Sequence, residues 1–133
     1  MAAPTFKKIE TQLKDVFIFE RLSHDDERGY FSKLFNKETF QNLALPGLEF
    51  KESFYSFSHK NVIRGMHYQE HPRGTAKLVS VIQGAIQDVI VCIDSEAGSN
   101  SDFGEYAEFN LTAKNLRSLY IPDGYAHGFK SLE

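Results

Sequence analysis

The chain of 133 residues has a single cysteine, Cys92, and no tryptophan. A lone cysteine cannot close an intramolecular disulfide, which excludes a disulfide scaffold and favours a reducing, cytoplasmic setting. Long apolar runs are missing as well. Nothing approaches the roughly 20 residues needed to span a bilayer, so no membrane partner is expected. Met1–Glu10 carries two lysines but no apolar core of a secretion signal. Excess positive charge is also absent: 15 Lys and Arg stand against 18 Asp and Glu, for a net charge of −3 and a pI near 5.9. That balance argues against a general electrostatic grip on nucleic acid. Internal repeats and low-complexity tracts are lacking, and one domain over residues 1–133 is expected. What the chain does hold is aromatic: 12 Phe and 6 Tyr.

Periodicity assigns the class. Val16–Phe19 is a short apolar run between charges and reads as a strand. Gly29–Phe35 reads as another, entered through the polar turn His24–Glu27. Lys37–Leu45 is the one helix candidate, with Phe40, Leu43 and Ala44 at helical spacing and Pro46-Gly47 as its stop. Phe50–Phe57 is β-prone. Lys77–Gln83 and Ala85–Asp94 flank Gly84, a signal for a tight hairpin. Phe103–Leu111 and Arg117–Ile121 add two strands, and Ala97–Asp102 is a small, polar loop. Many short strands with one short helix near the N-terminus predict a mainly β protein, a β-sandwich or barrel of jelly-roll type.

Two clusters could carry chemistry. Asn61-Val-Ile-Arg-Gly-Met-His-Tyr-Gln69 is followed, ten residues after His67, by Lys77 in Ala76-Lys-Leu-Val79. The second is Ile121-Pro-Asp-Gly-Tyr-Ala-His-Gly-Phe129. Arg64, His67 and Lys77 supply two fixed cations and one group that titrates near neutrality. Such a set suits an anionic substrate that loses a C–H proton beside a carbonyl. Histidine would take the proton, and a cation would stabilise the enolate oxygen. Composition alone leaves the ordinary alternative open, a hydrogen-bonded structural histidine among solvated surface charges. Strict strand alternation would also put Arg64 and His67 on opposite faces. Both can line one pocket only if the chain departs from regular pairing, and Gly65 is the place for a bulge or kink.

Together, Asp26-Glu-Arg-Gly-Tyr-Phe31, Asn61–Gln69, Ala76–Val79, Gly84 with Gln87-Asp-Val89, and Ile121–Phe129 resemble the dTDP-4-dehydrorhamnose 3,5-epimerase family. The motifs stand in the same order at compatible spacings, from about Val16 to the end. The resemblance implies a jelly-roll (cupin-like) fold, usually a homodimer, with no metal and no cofactor. It implies a nucleotide-diphosphate sugar as partner, a 4-keto-6-deoxyhexose epimerised at carbons 3 and 5 on the route to rhamnose and surface-polysaccharide sugars. It assigns His67 as the base and Lys77 as the cation beside the keto oxygen. Arg64 falls in the sugar and phosphate pocket, Arg28 on the diphosphate, and Phe31 near the nucleotide. Asp88 and His127 match positions on the barrel interior.

The pattern is not complete. Glu52-Ser53-Phe54 stands where the family usually has a Gln-Asp-Asn-like stretch, which leaves Glu52 as the substrate-side residue there. Lys33 replaces a glutamate near the nucleotide and opens base specificity to change. The sequence ends at Glu133, before the family's general-acid tyrosine, and none of Tyr68, Tyr106 and Tyr125 matches that position. Two other readings follow. One is a metal-dependent cupin using His67, His71 and His127. The other is a non-catalytic nucleotide-sugar binding module.

Overall fold

The computed structural model describes residues 6–43, 45, 49–68, 76–93 and 103–133. Ten strands and one helix follow in chain order. They are β1 (Phe6–Glu10), β2 (Phe17–Arg21), β3 (His24–Asp26), β4 (Gly29–Phe31), α1 (Lys37–Asn42) and β5 (Ile63–His67). There follow β6 (Lys77–Ser80), β7 (Ala85–Cys92), β8 (Tyr106–Thr112), β9 (Arg117–Ile121) and β10 (Tyr125–Ser131). One antiparallel sheet has the order β1-β2-β9-β6 and a second the order β5-β10-β7-β8, while β3 and β4 pair only with each other. The mainly β sandwich expected from the sequence is the architecture observed.

Two cores explain the strand patterns. Between the sheets lie Val81, Ile90, Ala107, Phe109, Leu111, Leu119 and Ile121. Strand β8 shows the alternation cleanly, with Ala107, Phe109 and Leu111 inward and polar neighbours outward. The first sheet is covered on its other face too, where Phe6, Phe17, Phe19 and Tyr120 meet Phe40 of α1. The Phe40 ring lies 4.9 Å from Phe6 and 5.0 Å from Phe19. Burial on both faces is why β9 is buried from Ser118 to Ile121 and ends in the apolar run Leu119-Tyr120-Ile121. The helix is short but capped at both ends. Asn36 Oδ1 accepts from Thr39 N at 3.0 Å, and Lys8 Nζ donates to Leu43 O at 3.1 Å while lying over the Phe17 ring.

Several local expectations change. The segment His24–Asp26, expected as a turn, is a strand, and the strand after it stops at Phe31 rather than Phe35. The helix ends at Asn42, with Leu43 as its cap; Ala44 and Pro46-Gly47 lie outside the described residues. Phe50–Phe57 forms no strand, since no strand of either sheet pairs with it among the described residues. Strand β1 is one that apolar periodicity did not single out. The largest correction concerns Gly84. The strands flanking it are not a hairpin: β6 pairs with β9 in the first sheet, and β7 pairs with β8 and β10 in the second. Gly84, at φ +81°, instead turns the chain from one sheet to the other. Asp94 and the polar loop Ala97–Asp102 lie outside the described residues.

Candidate functional site

The site begins with a counting irregularity in β5. His67 pairs with His127, and Arg64 with Phe129. Two residues of β5, Gly65 and Met66, therefore face the single residue Gly128 of β10, which is a β-bulge. The sequence marks both sides of it with glycine. A Cβ on Gly65, whose φ is +141°, would stand 2.3 Å from Gly128 Cα. One on Gly128 would stand 2.9 Å from both Gly65 Cα and Met66 Sδ. With one residue absorbed, Arg64 and His67 share a face despite their odd spacing, as the placement of a bulge at Gly65 anticipated.

That face is the inner one of the second sheet, but along β5 both side chains lie at its exposed margin. His67 turns its ring onto His127, centroids 4.5 Å apart and planes at 65°. His127 Nδ1 lies 3.2 Å from Asp88 Oδ1 on the neighbouring strand β7. Asp88 is fully buried, and its Oδ2 has no hydrogen-bond partner. Lys77 comes from the opposite sheet, on β6 beside Ile121, sharing the face of Val79. The four groups feel one another. Burial lowers the pKa of His67, helped by His127 and Lys77 and opposed by Asp88. Burial likewise lowers that of Lys77. Burial raises that of Asp88, while His127, His67 and Lys77 hold it back. The arrangement thus favours the free base of His67, beside Lys77 and a histidine–carboxylate pair. It can accept a proton and stabilise a negative oxygen.

The remaining candidates make no contact with the histidine cluster among the hydrogen bonds and ring contacts described. Arg64 is exposed, its guanidinium held by Ser58 Oγ at 2.8 Å and by the Phe57 carbonyl at 3.1 Å. Glu52 is exposed on the irregular segment that precedes β5. Arg28 and Phe31 belong to the β3–β4 hairpin, which is hydrogen-bonded to neither large sheet. Arg28 grips Asp26 there (Nη2 to Oδ2, 2.6 Å), and that hydrogen bond lowers the pKa of the carboxyl. His24, Asp26, Arg28, Gly29, Tyr30 and Phe31 line an open groove of about 270 Å³. His24 was missed in the sequence. Only the pairing of His24 with Phe31, rings 6.3 Å apart, brings it to this groove. Of the three tyrosines considered as acids, Tyr68 and Tyr106 are exposed, and Tyr125 donates to the Lys14 carbonyl at 2.7 Å. His71 lies outside the described residues, and among these no group of three His, Cys, Asp or Glu is arranged to hold a metal ion.

Comparison with known proteins bears on this geometry. A sequence model of the family described as dTDP-4-dehydrorhamnose 3,5-epimerase matches residues 10–133. A protein of that name from Shigella flexneri is 42% identical over 121 residues, covering 91% of this chain and 65% of its own length. One from Methanothermobacter thermautotrophicus is 42% identical over 129 residues, covering 96% and 66%. The chain thus spans just under two thirds of the length of these curated relatives. Among solved structures, a dTDP-6-deoxy-D-glucose-3,5-epimerase from Legionella pneumophila in complex with dTDP-4-keto-L-rhamnose is 35% identical. It superposes with a TM-score of 0.88, over 96% of this chain and 66% of its own. A dTDP-4-dehydrorhamnose 3,5-epimerase from Elizabethkingia anophelis matches at 37% identity and TM-score 0.85, over 97% and 69%.

Proposed function

Because the chain belongs to the dTDP-4-dehydrorhamnose 3,5-epimerase family, we propose that it epimerises a nucleotide-linked 4-keto-6-deoxyhexose. The observation that carries this reading is His67 packed on the His127–Asp88 pair within electrostatic reach of Lys77, its pKa lowered by burial. The 4-keto group acidifies the hydrogens at both neighbouring carbons. His67 removes such a proton as the C–H bond breaks, and the electron pair moves onto the keto oxygen. Lys77 stabilises the enolate so formed. Asp88 orients His127, whose ring fixes the position of His67. Inversion then requires a proton on the opposite face, a role that falls to no residue of this cluster. Arg64 serves the sugar and phosphate side and Arg28 the diphosphate. Phe31 and Glu52 serve the remaining substrate contacts.

The wider setting follows from the same reading. The product class serves deoxysugar biosynthesis and surface polysaccharide, including the O antigen of lipopolysaccharide, and a nucleotide-sugar substrate suits the cytoplasm. Two copies associate through the β5 edge. Ile63 is 72% exposed there, and Phe54 and Tyr55 on the preceding segment are 81% and 88% exposed. Apolar surface of that kind beside an open strand edge favours pairing with a second chain.

The test is incorporation of solvent deuterium at C3 and C5 of a dTDP-linked 4-keto-6-deoxyhexose, with His67→Ala as control. Exchange about 10³-fold above the variant is expected. Binding of thymidine diphosphate with exchange no faster than in the variant would replace this reading with that of a binding module.

A further inference from the structure

Residues 58–62, between the exposed aromatic segment and β5, are fixed to the end of β10. Asn61 N donates to Ser131 O at 2.8 Å, and Ser131 N donates to Val62 O at 2.9 Å. Val62 N closes a turn onto His59 O at 3.1 Å. Ser131, 5% exposed, also donates from its Oγ to Ser58 O at 3.4 Å. The turn carries the chain back along itself, so that Ser58 and Phe57 meet the side chain of Arg64. Ser58 Oγ accepts from Arg64 Nε at 2.8 Å, and the Phe57 carbonyl accepts from Nη2 at 3.1 Å. Ser58 is half-buried, whereas Arg64 is exposed.

A guanidinium is planar and holds its five N–H donors in a fixed fork geometry. Nε–H and the neighbouring Nη2–H form its side-on fork, and both bonds from this chain fall there. The end of the group, where Nη1 and Nη2 present two parallel N–H bonds, is left over. Among the described residues nothing bonds to Nη1. The partners are also neutral. Arg28 and Arg117 each meet a carboxylate, Asp26 and Glu20, but Arg64 has none within ion-pair distance among the described residues. Its charge is therefore oriented without being neutralised. Two parallel donors on an undiminished cation match two oxygens of one phosphate group. Ordering a long exposed side chain on binding weakens affinity, and a group already held in place avoids that cost.

We propose that Ser58 is a positioning residue: with the Phe57 carbonyl it occupies the side-on fork of Arg64 and leaves the end-on pair for a phosphate of the nucleotide sugar. The identity of that ligand rests on the epimerase reading; the geometry of the fork does not. Titration calorimetry with thymidine diphosphate tests it. Ser58→Ala should weaken binding about fivefold, and Ser58→Thr should restore it. In an Arg64→Lys background, which has no fork for the hydroxyl to hold, Ser58→Ala should cause no further loss. In the exchange assay Ser58→Ala should raise KM about fivefold while kcat and the melting midpoint stay unchanged. Natural affinity in Ser58→Ala, a loss that persists in the Arg64→Lys background, or no binding by the natural chain would overturn the proposal. A Ser58 effect on binding in a protein that exchanges no deuterium upholds the positioning role and removes the epimerase reading alone. Should Ser58→Ala fail to fold, the Nε–H resonance of Arg64 in the natural chain decides. Slowed exchange with water supports the held fork, and exchange as fast as in a solvated arginine refutes it.

Discussion

His67 serves as a base only while uncharged, and burial together with two neighbours favours that state. Burial, with His127 and Lys77 acting in the same direction, outweighs the attraction of Asp88, so its pKa falls below the ordinary 6.5. A base with a depressed pKa is active above that value and silenced as pH falls through it. The acid limb of kcat/KM for exchange should therefore lie below pH 6.5, and Asp88→Asn should move it lower still by removing the one stabilising charge. A limb at or above 6.5 would contradict the assignment. Stability has the same sign for this residue: its contribution is complete above pH 6.5 and declines in acid. Lys77→Met should keep the fold, since the residue is only half-buried on β6, yet lower exchange by about 10²–10³-fold. An unchanged rate with normal melting would remove Lys77 from the oxyanion role.

At the scale of elements, the bulge of β5 and its glycine partner decide whether the histidines meet. Gly65→Ala puts a Cβ 2.3 Å from Gly128 Cα, a clash that backbone can relieve only by moving a strand. A loss of roughly 2–4 kcal/mol is expected in chemical denaturation, larger than for Gly128→Ala. Equal stability of Gly65→Ala and the natural chain would show that the strands separate freely. The capping side chain Asn36 offers a milder case, and Asn36→Ala should cost about 1 kcal/mol. These features also show what the sequence made legible. Strand β9, helix α1 around Phe40, and the kink at Gly65 were readable because propensity, pattern and glycine act locally. The partners of β6 and β7 were not. Gly84 is the right residue for a tight turn, and nothing within seven residues of it says that the two strands leave for different sheets. Strand β3 was hidden for a related reason: His24-Asp25-Asp26 is polar and exposed, held only by its pairing with β4. The histidine cluster was legible as three separated motifs, but its Asp88 link appears only once β7 and β10 are in register.

For the whole molecule, the two faces of the first sheet are both covered, while among the described residues no strand pairs with the outer edge of β5. Light scattering should report a dimer, and paired changes on the exposed segment, Phe54→Ser with Tyr55→Ser, should shift it toward monomer without lowering the melting temperature. A monomer at every concentration would leave the β5 edge unexplained by self-association. That edge also shares its strand with the catalytic candidate. If residues 66–67 slid along β10 by one position, smoothing the bulge away, the ladder would remain intact. Met66 would then stand opposite His127 and the imidazole of His67 would point outward. The protein would be folded, soluble and silent. An outermost strand is the one freest to make such a slip, so a neighbour laid along β5 would act as a latch, keeping the extra residue in place and the base in its working position.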